Sequence, residues 1–160
     1  MKILVVDDDL ESEDFRDMFK ARLTMLPTGW GRNESSETRR DMLDNQLTQD
    51  GFELEFVFDG DGAMAHYRQG GPYDLVLTDL YHPGMDGVEL ARAIRRENPA
   101  QAIAVFTACI TPGPFLEALW QMRIPAADKL DTKEALIQLV KEALRLNCER
   151  LSNHTPRALQ

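Results

Sequence analysis

Four short apolar runs, each leading to a polar or charged residue, constrain the fold of this chain more tightly than any other feature. Ile3-Leu4-Val5-Val6 meets Asp7, Asp8 and Asp9. Leu75-Val76-Leu77-Thr78 meets Asp79. Ile103-Ala104-Val105-Phe106 meets Thr107, and the stretch from Ile124 to Ala127 is followed by Lys129. Runs of this length bounded by turn residues read as buried parallel strands. Apolar residues at helical spacing separate them: Phe15, Met18, Phe19 and Leu23; Leu90, Ala91 and Ile94; Phe115, Leu116, Leu119 and Met122; Leu136, Leu139, Val140, Ala143 and Leu144. Strand and helix signals in alternation predict an α/β domain on a mostly parallel sheet. In such a sheet chemistry gathers beyond the carboxyl ends of the strands.

The boundaries follow from caps and breakers. Strands are expected over Lys2–Val6, Glu53–Phe58, Asp74–Thr78 and Ala102–Thr107. Glu53 to Phe58 mostly alternates polar and apolar residues, which suits an edge strand with one wetter face. Pro125 makes the last strand short and also an edge. A short helix follows Asp61. Asp86 and Glu89 have capping-box spacing, as do Asp131 and Glu134, so each pair predicts a helix start. Thr111-Pro112 reads as N-cap and first helical residue. After the first helix, Leu26 to Gly31 breaks the pattern. A second helical stretch is expected from Glu37 to Gln49, capped by Ser35 or Ser36 and ended by Gly51. The polar tail from Cys148 is expected to fray.

Composition narrows the function classes. The chain has 160 residues and a formal charge of -9, which suits one domain and disfavours a nucleic-acid surface. Adjacent basic residues, such as Arg39-Arg40, come only in pairs. Cys109 and Cys148 show no pairing pattern and read as free thiols in a reducing cytosol, giving a cytoplasmic expectation. No signal peptide is expected, because the first apolar run ends at three aspartates. Nothing approaches the ~20 apolar residues of a membrane span, so no membrane insertion is expected.

The polar residues at the strand ends form a chemical set. Two or three carboxylates among Asp7, Asp8 and Asp79 can hold Mg2+, a hard cation that prefers oxygen ligands. The metal in turn offsets the repulsion between them. Thr107 can donate a hydrogen bond to a phosphoryl oxygen, and Lys129 brings a point charge on a flexible stem. One carboxylate can then act as nucleophile and form an aspartyl phosphate.

In this order the motifs resemble the receiver domain of two-component response regulators. They are Ile3 to Asp9, Asp74 to Leu80 with Pro83-Gly84-Met85-Asp86-Gly87, Val105-Phe106-Thr107-Ala108, and Lys129. The resemblance covers most of the chain, with a receiver domain over residues 1–147 and a tail over 148–160. It implies a flavodoxin-like doubly wound sheet in the order 2-1-3-4-5, in three α/β/α layers. It implies that Asp79 is the phosphoacceptor and that Asp7 and Asp8 are the acidic Mg2+ pair. The main-chain carbonyl of Tyr81 would be a further metal ligand, Thr107 the switch hydroxyl, and Lys129 the partner of the phosphoryl group. A histidine kinase or phosphotransfer protein would be the donor. The protein would be a switch rather than an enzyme. No output domain is expected after the last helix, so the signal would pass to a downstream protein by contact. Trp120 would either join the docking face made by the last two helices and the last strand or belong to the core. A phosphorylation-dependent homodimer is compatible with this reading.

The chain departs from the family in several places. An insertion falls within about residues 24–40. The residue three before Lys129, usually aromatic and coupled to the switch hydroxyl, is Ala126. Leu130 replaces the usual proline. Tyr81 and Cys109 stand two residues beyond Asp79 and Thr107, beside the path of the hydrolytic water, so a bulky Tyr81 is expected to slow loss of the phosphoryl group. Away from the constellation, His82 is expected at the surface, Cys109 as a small packed residue, and Asp9 as a turn or cap residue. Trp30, flanked by glycines, is either a partner anchor or folded back on neighbouring helices. Two other functions fit part of the pattern. Haloacid-dehalogenase-type phosphatases use the Asp7 and Asp9 spacing, although they want Thr or Val where Glu11 stands. A receiver-like adaptor independent of phosphorylation would work through the insertion.

Overall fold

The structure, a computed structural model, describes residues 1–23, 53–129 and 133–154. The insertion at about 24–40, Trp30, the helical stretch from Glu37 to Gln49, Gly51 and the Asp131 cap lie outside the described residues. Five strands, β1 (Lys2–Val6), β2 (Glu53–Val57), β3 (Leu75–Thr78), β4 (Ile103–Thr107) and β5 (Ala126–Asp128), form one sheet in the order β2-β1-β3-β4-β5. Every pairing is parallel. The expected order and edge strands are therefore observed. The helices are α1 (Glu13–Leu23), α2 (Gly60–Gly70), α3 (Gly87–Glu97), α4 (Pro114–Gln121) and α5 (Lys133–His154).

Alternation along β1 shows why both sheet faces need cover. Ile3 and Val5 lie on one face with Leu75, Leu77, Ala104 and Phe106, under Phe19 of α1 and Leu136, Leu139 and Val140 of α5. Leu4 and Val6 lie on the other with Val76, Ile103 and Val105, under α2, α3 and Leu119 of α4. Phe19 meets Phe56 and Phe106 edge-on, both at 6.3 Å between centroids. Along α3, Leu90 and Ile94 are fully buried, contributing roughly 1.5–3 kcal/mol each. The Asp86–Glu89 capping box is present and contributes ~1 kcal/mol. Burial therefore holds this helix, and the cap decides where it begins.

Three boundaries differ from expectation. Helix α4 starts at Pro114, with Gly113 as its N-cap, rather than at Thr111-Pro112. A residue before proline is disfavoured in the helical region, so Gly113 serves as the cap and Pro114, with its fixed φ, as the first helical residue. Helix α2 starts at Gly60, because the Asp59 side chain accepts the Gly62 N–H at 2.6 Å. Helix α5 runs past Cys148 to His154. Arg145 pairs with Glu142 at 2.6 Å and with Glu149, and Arg150 donates to Asn147 at 2.8 Å, so the polar stretch carries its own helical side-chain pairs.

Candidate functional site

Strand register brings the predicted residues together. Val6 pairs with Thr78, so Asp7 and Asp79 leave the sheet side by side. Their amides are still bonded into it: Asp7 N–H donates to Val57 O at 3.0 Å and Asp79 N–H to Val6 O at 2.7 Å. Thr107 pairs with Asp128, and Lys129 N–H donates to Thr107 O at 2.8 Å. Lys129 is thereby aimed back across the end of β4 toward β1 and β3.

Lys129 Nζ lies 2.6 Å from Asp7 Oδ2, 2.5 Å from Asp79 Oδ2 and 3.2 Å from Asp9 Oδ2. The side chains of Lys129, Asp7 and Asp79 are all less than a tenth exposed, while that of Asp9 is open to solvent. Asp79 Oδ1 accepts from Leu80 N–H at 2.5 Å and from Tyr81 N–H at 3.4 Å. Asp7 caps the short 3-10 turn Asp8–Glu11 by accepting from Asp9 N–H at 3.0 Å. Burial pushes the Asp7 carboxyl up to about 6, against the hydrogen bond from Lys129 that favours its charge, with the Asp79 charge adding to the rise. Burial also opposes the Lys129 charge, but the hydrogen bonds to Asp7 and Asp79 outweigh it and hold the ammonium above its ordinary value.

Carboxylate oxygens of Asp7, Asp8, Asp9 and Asp79 lie within 4.8 Å of one another. This all-oxygen set, with buried acids that a single ammonium only partly neutralises, fits a hard divalent cation such as Mg2+. Asp9 lies in the 3-10 turn, as a turn residue would, and it also shares Lys129 with the buried pair.

The β3–α3 loop closes tightly beside Asp79. Gly87 N–H donates to Leu80 O at 2.9 Å. A Cβ on Gly87 would stand 2.3 Å from Asp79 O, so the close approach requires glycine. Gly84 adopts φ 78, the left-handed region. Thr107 is buried, and its Oγ1 accepts weakly from Cys109 N–H at 3.4 Å. Beside it lies a cavity of about 110 Å3 lined by Thr107, Ala126, Leu119, Tyr81 and Phe115. Tyr81 and Phe115 meet edge-on at 5.7 Å and are both exposed.

Two expectations here are corrected. His82 is not at the surface: it is 9% exposed, with Nε2 3.0 Å from Thr78 Oγ1. The loop folds its ring inward over a buried hydroxyl. Cys109 is exposed rather than packed, because the chain has left the sheet there and α4 begins only at Pro114. Trp120 is 85% exposed on α4, which removes it from the core. It borders a groove with Arg123, Pro125 and Leu146. No helix among the described residues is long and apolar enough to cross a membrane.

Similarity to known proteins follows the same architecture. Residues 34–144 match the response regulator receiver domain. The match begins after β1, so strand pairing is what joins Asp7 and Asp8 to the matched region. The sensory transduction protein RegX3 of Mycolicibacterium smegmatis is 36% identical over 72 residues, covering 45% of this chain and 31% of that protein. The chain thus spans less than a third of the first curated relatives it matches. A CheY-like receiver domain protein from Methanospirillum hungatei superposes with TM-score 0.64 at 19% identity, covering 93% of this chain and 97% of the other. The response regulator TrrA from Thermotoga maritima, solved in complex with Mg2+ and BeF, gives TM-score 0.57 at 24% identity, covering 89% and 98%.

Proposed function

The chain belongs to the response regulator receiver family, and from that premise we propose that it accepts a phosphoryl group on Asp79 in a Mg2+-dependent phosphorelay. The observation that carries this reading is the buried Asp79 carboxylate, held on one oxygen by Leu80 N–H and on the other by Lys129 Nζ beside three further carboxylates. The donor is a phosphohistidine on a histidine kinase or phosphotransfer protein. An Asp79 oxygen forms the new P–O bond as the P–N bond breaks, and the electron pair stays on the departing imidazole. Asp7, Asp8, Asp79 and the Tyr81 carbonyl would hold Mg2+, which supplies positive charge for the transferring phosphoryl oxygens. Thr107 donates its hydroxyl to the phosphoryl group, and Lys129 trades a carboxylate partner for a phosphoryl oxygen.

The protein acts in the cytoplasm as a switch rather than an enzyme. Movement of Thr107 and Lys129 toward the new charge biases a two-state surface. The signal leaves through protein contact, at the face that presents Trp120, to a downstream protein or a second copy, with no direct nucleic-acid contact. The phosphatase alternative gives way to family membership. Intact-mass spectrometry after incubation with Mg2+ and acetyl phosphate tests the reading. Wild type gains one phosphoryl group, and Asp79→Asn gains none; equal labelling of both moves the acceptor elsewhere. The bulk of Tyr81 beside the acceptor gives a second expectation: Tyr81→Asn shortens the lifetime of the phosphorylated protein, measured by its decay after donor removal.

A further inference from the structure

Among the described residues, two buried side-chain polar atoms lack a hydrogen-bond partner, and one of them is His82 Nδ1, in the loop beside Asp79. Its ring is otherwise engaged. Nε2 lies 3.0 Å from Thr78 Oγ1, and Thr78 Oγ1 lies 2.8 Å from Asp79 O. A threonine hydroxyl carries one proton. The Asp79 carbonyl can only accept, so that proton goes to it. Nε2 must then be the donor to Thr78 Oγ1, which fixes the ring as the Nε2–H tautomer and leaves Nδ1 as a bare acceptor.

This bond lies beside one specific peptide. The Tyr81 carbonyl belongs to the same planar unit as the His82 amide. On either side the chain is already tied: Gly87 N–H donates to Leu80 O at 2.9 Å, and Gly60 N–H donates to Pro83 O at 3.1 Å. Between these ties the Tyr81 side of the peptide is held by a long bond, Tyr81 N–H to Asp79 Oδ1 at 3.4 Å, and by the edge-on contact of its exposed ring with Phe115, while the buried His82 ring anchors the other side. We propose that His82, as the Nε2–H tautomer bonded to Thr78, is a positioning residue that sets the tilt of the Tyr81 carbonyl toward the acidic cluster; this rests on the Mg2+ reading above. His82 does not touch the cation. It acts as partners of metal ligands act generally, by fixing a ligand's orientation before the ion arrives.

The test combines ring-nitrogen NMR on the metal-free protein with Mg2+ titration of backbone amides and thermal unfolding. The His82 nitrogen shifts should report a neutral ring protonated on Nε2. His82→Leu should weaken Mg2+ binding by ~10-fold. His82→Gln, which keeps a donor near the Nε2 position, should recover most of that loss. Thr78→Val should reproduce the loss, and the Thr78→Val/His82→Leu double variant should be no weaker than either single variant. An Nδ1–H ring in wild type overturns the inference, whatever the variants do. So does His82→Leu binding Mg2+ like wild type while its unfolding temperature falls, since that describes a packing residue alone. A wild type that binds no Mg2+ defeats both this inference and the phosphorelay reading. A wild type that binds Mg2+ with His82→Leu unchanged defeats only this one.

Discussion

The two ends of the sheet each gather carboxylates around a lysine, yet they treat the charge in opposite ways. At the amino end, Lys2 Nζ lies 2.9 Å from Glu55 and 3.7 Å from Glu53, and it donates to Gly70 O at 2.7 Å. Asp74 accepts the Lys2 N–H at 2.7 Å, and Tyr73 donates its hydroxyl to Glu55. Gln101 Nε2 reaches Tyr73 O and Ala102 O, both at 3.1 Å. Neutral donors and open water thus finish what the lysine begins. Hydrogen bonds from Tyr73 and then Lys2 hold Glu55 below its usual range. At the carboxyl end the lysine and two of its carboxylates are buried, and Asp7 is pushed the other way, up to about 6. One end is satisfied by the fold alone. The other is left short of positive charge, the condition that the proposed Mg2+ site requires.

Removing each lysine should break this symmetry most sharply. With EDTA present, Lys129→Met leaves Asp7 and Asp79 buried without a cation, and stripping a buried pair of one partner typically costs about 3–5 kcal/mol. Excess Mg2+ should return a large part of this loss, because a bound cation stabilises the folded state alone. Lys2→Met should change little, with or without Mg2+, since its partners reach water. Urea unfolding of both variants with EDTA and with Mg2+ checks this. Equal losses, or a Lys129→Met protein indifferent to Mg2+, would erase the contrast.

The next effect is in pH. Asp7 has its folded value raised from 3.8 to about 6. The folded state therefore holds a proton that the unfolded state has already released. Stability from this residue is present below pH 4 and falls as pH rises from about 4 to above 6, which is the reverse of an ordinary salt-bridged aspartate. In EDTA, wild type should lose ground to Asp7→Asn across that window by on the order of 2 kcal/mol, allowing for residual water at the site. Taking the difference between the two proteins cancels other carboxylates such as Glu55, whose lowered value acts with the opposite sign. A flat difference from pH 4 to 7 would show that Asp7 titrates normally and that the carboxyl end is no more strained than the amino end.

The carboxyl-end half of this contrast could be read in the sequence, whereas the amino-end cluster around Lys2 could not. Apolar runs fix the strands, and a polar residue at the end of each run falls at the same sheet edge whatever the loops do. Asp7, Asp79, Thr107 and Lys129 were therefore visible as a group. Lys129 was the weakest of them alone, since its burial depends on the register of β5 against β4. His82 escaped because a loop has no periodicity to show which way a ring turns, and its partner Thr78 sits inside a strand where it reads as filler. Cys109 was misplaced because its exposure depends on how late α4 begins, and that start turns on Gly113 preceding Pro114. The tail of α5 looked polar enough to fray because composition cannot distinguish free charges from the paired set of Glu142, Arg145 and Glu149.

The smallest effect sharpens the comparison by testing whether the two ends are independent. Tyr73→Phe removes the hydroxyl that donates to Glu55 and keeps the ring stacked on Tyr67 at 6.0 Å. Glu55 retains Lys2 at 2.9 Å and remains partly exposed, so water can take the vacated acceptor position. The loss should therefore be about 1 kcal/mol or less, visible as a small shift in the urea midpoint with an unchanged slope. Its effect on Mg2+ binding should be nil, because β1 and β3 separate the two ends and their side chains are packed on both faces by residues the substitution does not touch. A Tyr73→Phe protein with weakened Mg2+ affinity would mean that the strands transmit strain from one end to the other, so that the satisfied end helps to set the geometry of the receptive one.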